Sequence, residues 1–170
     1  GDKPVVTDEI LAIRDLAIEA GGNFSCADRA QWLYIAAYIY MQQGNYTQAK
    51  ALLSKAEKAP ASDYMKESIK VLSIYLDALT ATYNAAYEER LFEQIKWFEE
   101  RVRLDFNSDD YDYCMWHDFS ENYWYSSMTR ILSYTVAPRY LEMGNPARAL
   151  QLMNFADYLP YKYVTSIDYY

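Results

Sequence analysis

Residues 30–60 read AQWLYIAAYIYMQQGNYTQAKALLSKAEKAP, and the chain returns to this pattern a hundred residues later, where 130–160 read RILSYTVAPRYLEMGNPARALQLMNFADYLP. Laid over each other without a gap, the two stretches share Tyr34/Tyr134, Ala37/Ala137, Tyr40/Tyr140, Gly44/Gly144, Asn45/Asn145, Ala49/Ala149, Leu52/Leu152, Ala56/Ala156 and Pro60/Pro160. In the first stretch Leu33, Ala36, Ala37 and Tyr40 recur at helical steps, which places one apolar stripe on a helix from about 28 to 43. Gly44-Asn45 ends that helix, since Gly adopts the left-handed conformation that a helix C-terminus often needs. A second helix from about 46 turns Ala49, Leu52, Leu53 and Ala56 inward and stops at Pro60. The small side chains of Ala37, Ala49 and Ala56 let two antiparallel helices approach closely. In the second stretch Ser133 replaces the large Leu33, and Pro138 falls inside the helix, where it is expected to kink or divide it.

Working outward, Thr7-Asp8-Glu9 caps a helix expected to turn Ile10, Ile13, Leu16, Ala17 and Ala20 to one side and to stop at Gly21-Gly22. Ser25, with Asp28 three residues later, is a capping-box-like start for the helix of the first repeat. Ser62-Asp63 opens a helix carrying Ile69, Leu72, Leu76 and Leu79. The mediocre helix formers from Thr80 to Asn84 predict a turn. A further helix then runs to about Leu104, buried along Tyr87, Leu91, Ile95, Phe98 and Val102. The expected fold class is all-α, with three or four antiparallel helical hairpins side by side.

The order Leu33, Ala36, Ala37, Tyr40, Ala49, Leu53, Ala56, Pro60, with Gly44 and Tyr46 at the turn, resembles the tetratricopeptide repeat. Val136, Ala137, Tyr140, Gly144, Ala149, Met153, Ala156 and Pro160 carry the likeness into the second copy. The resemblance implies a short right-handed solenoid of stacked hairpins. It is read as one domain over 1–170, with repeat units at about 30–62 and 130–162 and a divergent helical middle at about 63–129. It also implies a concave surface made by the first helix of each pair, where Tyr34, Tyr38 and Met41 are candidate partner-binding residues. The basic residues of that family's carboxylate-clamp mode are not found at matching places.

Composition narrows the function. The 170 residues are 52% hydrophobic and 24% charged, the make-up of a globular chain of one-domain size. A formal net charge of -8 is the wrong sign for nucleic acid or an anionic membrane surface as partner. No apolar run is long enough to span a membrane, and nothing assigns a compartment. Cys26 and Cys114 lie far apart and His117 is the single histidine, so no Cys/His zinc cage and no di-iron bundle can be assembled. Two free thiols, and neither metal nor cofactor, are the expectation.

From Leu104 to Thr129 there is no Lys or Arg, yet Asp105, Asp109, Asp110, Asp112, Asp118 and Glu121 alternate with aromatic residues. Of these, Tyr111, Tyr113, Trp116, Tyr123 and Trp124 are candidates for holding a basic peptide or stacking on a sugar. Asp105, Asn107 and Asp109 imitate a calcium loop, but Asp110 and Trp116 stand where that loop needs Gly and Glu. His117 and Asp118 are neighbours in sequence, and adjacent residues of a helix or strand do not face each other. No nucleophile elbow or phosphate loop is present, so no catalysis is expected. Glu88-Glu89 and Glu99-Glu100 read as solvated faces beside Arg90, Lys96, Arg101 and Arg103. Asn23 and Asn45 begin short sequons that matter only in a glycosylating pathway. The expected function is binding of a protein or peptide, with a basic segment the natural match for the acidic stretch. The alternative is an oligosaccharide, by likeness to part of a tyrosine-rich SusD-like helical lipoprotein, a family of much longer chains.

Overall fold

Side chains begin each helix where the sequence offers a short polar residue. The hydroxyl of Thr7 accepts the amide of Ile10 at 3.3 Å and opens α1 (Asp8–Asn23). Its acidic first turn suits the positive end of the helix dipole. α2 (Asp28–Gln42) is followed by α3 (Tyr46–Lys58), which Asn45 caps by accepting the amide of Gln48. Ser62 accepts the amide of Met65 at the start of α4 (Asp63–Thr80), and Asn84 that of Tyr87 at the start of α5 (Ala85–Phe106). A π-helix (Ile131–Val136) leads into α6 (Ala137–Glu142), and a further helical stretch, α7, covers 146–154. The computed structural model describes residues 7–23, 28–106, 128 and 130–154, and among the described residues every regular element is helical. The chain divides into two units, Gly1–Thr80 and Ala81–Tyr170.

In the first unit α2 packs on α1 and α3, and α4 packs on α2 and α3. Leu33, Ala36 and Ala37 of α2 meet Ala49, Leu52, Leu53 and Ala56 of α3 and Ile69, Leu72 and Leu76 of α4 in one buried cluster. The turn between α2 and α3 is a Schellman motif: the Asn45 amide donates to the Tyr40 carbonyl, the Gly44 amide to that of Met41, and Gly44 has φ +77°. The second copy repeats it, with Asn145 donating to Tyr140, Gly144 to Leu141, and φ +75° at Gly144. Asn145 then accepts the amide of Arg148, as Asn45 does that of Gln48.

Two local expectations are corrected in α1. Gly21 does not stop the helix, which runs on to Asn23; it lies buried, where an added Cβ would sit 2.8 Å from the Leu33 side chain. The side of α1 that meets α2 therefore carries Ala17 and Gly21, whose small size permits the closer approach, with Arg14 reaching Tyr40 and Gln43 beyond them. Ile13 and Leu16, expected inside, are 49% and 64% exposed.

In the second unit α5 buries Tyr87, Leu91, Ile95 and Phe98, and the turn expected between α4 and α5 is present at 81–84. At Pro138 the helix is divided, as expected: the π-helix Ile131–Val136 precedes it and α6 (Ala137–Glu142) carries it in its first turn. The turn before it is widened, with the Ala137 amide reaching back five residues to the Leu132 carbonyl. A proline in an α-helix lacks one donor and crowds the carbonyl four residues earlier, here that of Tyr134, and a π-turn makes room for its ring.

Candidate functional site

The features that stand out for recognition lie separately in the two units. At one end of the first unit, the α2–α3 turn and the last turns of α4 enclose a depression of about 220 Å³. Its walls are Met41, Gln42 and Gln43, the backbone at Gly44, Tyr46, and Tyr75 with Leu79. No lining side chain carries a charge. Arg14 holds one wall in place: its guanidinium donates to the Gln43 side-chain oxygen at 3.1 Å and stacks 4.8 Å from the centre of the Tyr40 ring. It also pairs with Asp15 at 2.9 Å. On α2 itself Trp32 and Tyr38 are exposed while Leu33, Ala36, Ala37, Ile39 and Met41 are buried, with 45% of the Tyr38 surface open to solvent.

In the second unit a polar knot ties α5 to α6 and α7. Glu88 accepts the Tyr140 hydroxyl at 2.9 Å and takes the Arg148 guanidinium on both oxygens at 3.2 Å. Arg148 also donates to Gln151 at 2.7 Å and lies 5.1 Å from the Phe92 ring centre. Tyr83 stacks on Tyr87 at 4.2 Å and tilts against Tyr140 at 5.3 Å, with Arg139 at 5.9 Å on its face. Burial, and then the bond to Glu88, push the Tyr140 phenol far above its ordinary range, so it stays a neutral donor. Glu88 is thus not on a solvated face, as its place in an acidic pair suggested; Glu89 beside it is exposed.

Of the residues singled out from sequence, Tyr38 is exposed, Tyr34 is half-buried against the core, and Met41 is buried with its surface in the depression. Tyr111, Tyr113, Trp116, Tyr123 and Trp124 lie outside the described residues, as do Cys26, Cys114, His117 and Ser25. The reading missed Gln42, Gln43 and Tyr75. Tyr75 sits one position before Leu76 of the buried stripe, and only the packing of α4 on the turn brings it there. Among the described residues no cluster of His, Cys, Asp and Glu could hold a metal ion, and no helix is long and apolar enough to cross a membrane. No protein-family model, no curated protein and no solved structure matches this chain.

Proposed function

We propose that the chain is a non-catalytic, tetratricopeptide-like helical-repeat scaffold that binds a protein or peptide partner. The hairpin repeated at a hundred-residue spacing, with the same glycine turn and asparagine cap in both copies, supports the repeat reading. Binding rests on one observation: α2 exposes Trp32 and Tyr38 beside the buried Leu33, Ala36, Ala37, Ile39 and Met41. Large amphipathic rings left open on a packed helix are the side chains that dominate protein interfaces when covered. A basic segment fits a chain of net charge -8, and its binding weakens as salt rises.

The test is cross-linked capture from the native cells with the wild-type chain, Trp32→Ala and Tyr38→Ala. More than half of each side chain is covered, Trp32 being 39% and Tyr38 45% exposed, so a thermal melt accompanies each capture and recovery is compared at a temperature where all three chains are folded. A partner recovered by the wild type and lost by the variants supports the reading; equal recovery by all three sinks it.

A second reading, an oligosaccharide ligand, draws on the depression beside Gly44, where two phenols and two amides meet with no charged side chain. Phenol rings stack on sugar faces and amides bond their hydroxyls. Calorimetric titration separates the readings: saturable, salt-independent heat with a sugar, weakened by Gln42→Ala, would favour this one.

A further inference from the structure

The depression beside Gly44 lies at the C-terminal ends of two helices. Met41 and Gln42 close α2, Leu79 stands in the last turn of α4, and both helices bring their negative dipole ends there. Helices commonly carry Lys or Arg in such a turn to balance that charge, and α3 does so with Lys55 and Lys58. Neither α2 nor α4 has a basic residue in its last turn. The second copy marks the omission, since α6 carries Arg139 where α2 has Ile39 at the equivalent place. Arg14 reaches the wall from α1, but its guanidinium is already held by Asp15, Gln43 and the Tyr40 ring. The positive end of α3 opens at the same turn and is capped by the Asn45 side chain.

We infer that this depression is a socket for a lysine side chain of the protein partner, an assignment that rests on the reading of a basic partner given above. Met41 and Leu79, with the rings of Tyr46 and Tyr75, offer apolar surface to the lysine stem, and the phenol rings attract a cation. The Gln42 amide supplies an acceptor for the ammonium, which has donors only. The volume of about 220 Å³ is ample for a lysine side chain. An arginine fits less well, because its planar fork is matched by a carboxylate and no lining side chain carries one. A neutral sugar draws nothing from two negative helix ends. Tyr38 lies four residues before Gln42 and so one turn away on the same side of α2, which makes the socket continuous with the exposed ring already read as binding. The net charge of -8 draws a cation toward the whole surface.

The probe is Nα-acetyl-lysine N-methylamide, titrated into the intact protein and followed by NMR. The matching norleucine compound, which keeps the stem and lacks the charge, is the control. The lysine compound should shift the Gln42, Tyr46 and Tyr75 signals saturably, with a dissociation constant on the order of millimolar. The norleucine compound should bind at least about fivefold more weakly. Gln42→Lys places the missing cation at the helix end, a change that suits the end of α2, and should abolish binding. Gln42→Glu should tighten it at least about twofold. The inference is overturned by no saturable shift up to about 50 mM, by equal binding of the norleucine compound, by binding that Gln42→Lys leaves unchanged, or by shifts of the same signals with maltotriose alone, which would give the depression to a sugar. Partner capture through Trp32 and Tyr38 is a separate measurement, so an empty socket leaves that reading standing, and a failed capture removes the partner without altering the titration.

Discussion

Gly44 and Gly144 hold the same left-handed conformation, and a Cβ built on either meets nothing within 4 Å. Replacing them tests backbone strain free of packing. Gly44→Ala and Gly144→Ala should each cost about 1–2 kcal/mol, the penalty of a side chain in that region, as read by urea unfolding. Two unchanged midpoints would refute the Schellman geometry. Tyr140 offers a second test. Its phenol pKa is raised, so the native state holds that proton more tightly than the unfolded chain. The stability it contributes is complete below the ordinary value of 10.0 and is lost as pH rises beyond it. Tyr140→Phe forfeits the bond to Glu88, about 1 kcal/mol at neutral pH. Above pH 10.0 the gap between wild type and variant should narrow, because only the wild type has this proton to lose. A gap that widens would contradict the assignment.

The helix pairs close through alanine. Ala49 and Ala56 are wholly buried where α3 meets α2, while Ala51 on the same helix is exposed. Ala49→Trp and Ala56→Trp should each destabilise by about 1–3 kcal/mol or more, since an indole forces the pair apart. Ala51→Trp should stay within about 0.5 kcal/mol. Thermal melts of the three variants decide it, and equal melts would dismiss the packing. The π-turn before Pro138 belongs to this scale too. A whole turn changes its hydrogen-bond spacing to admit one ring, and an ordinary α-helix follows into the glycine turn.

Across the whole chain, 24 acidic residues face 16 basic ones, and the isoelectric point is about 4.6. Near that pH the repulsion that keeps copies apart vanishes, so exposed apolar side chains such as Leu16, Leu141 and Leu150 should drive association. A solubility profile should show its minimum close to pH 4.6. Leu150→Glu with Met153→Glu should make that minimum shallower, and a flat profile for the wild type would count against the role of these patches. The single Tyr-rich composition serves opposite ends here: Tyr87 is wholly buried, Tyr140 is tied to a carboxylate, and Tyr38 and Tyr134 are open to solvent.

What the sequence determined by itself is local. Thr7, Asn45, Ser62 and Asn84 begin helices, and Gly44 and Gly144 end them, because each acts on amides and carbonyls within a few residues of itself. The stripes of α2, α3, α4 and α5 were legible for the same reason, since helical spacing puts them on one side. Which side of α1 faces inward was not legible. Ile13 and Leu16 are the larger hydrophobes, but the approach of Gly21 to Leu33 in another helix selects the small ridge. Glu88 looks solvated by its neighbours and is claimed by Tyr140, 52 residues away, and by Arg148, 60 away. Gln42, Gln43 and Tyr75 line one depression only because α4 crosses the turn. These outcomes depend on close approach between helices, and a pattern read along one helix holds no term for the shape of the next.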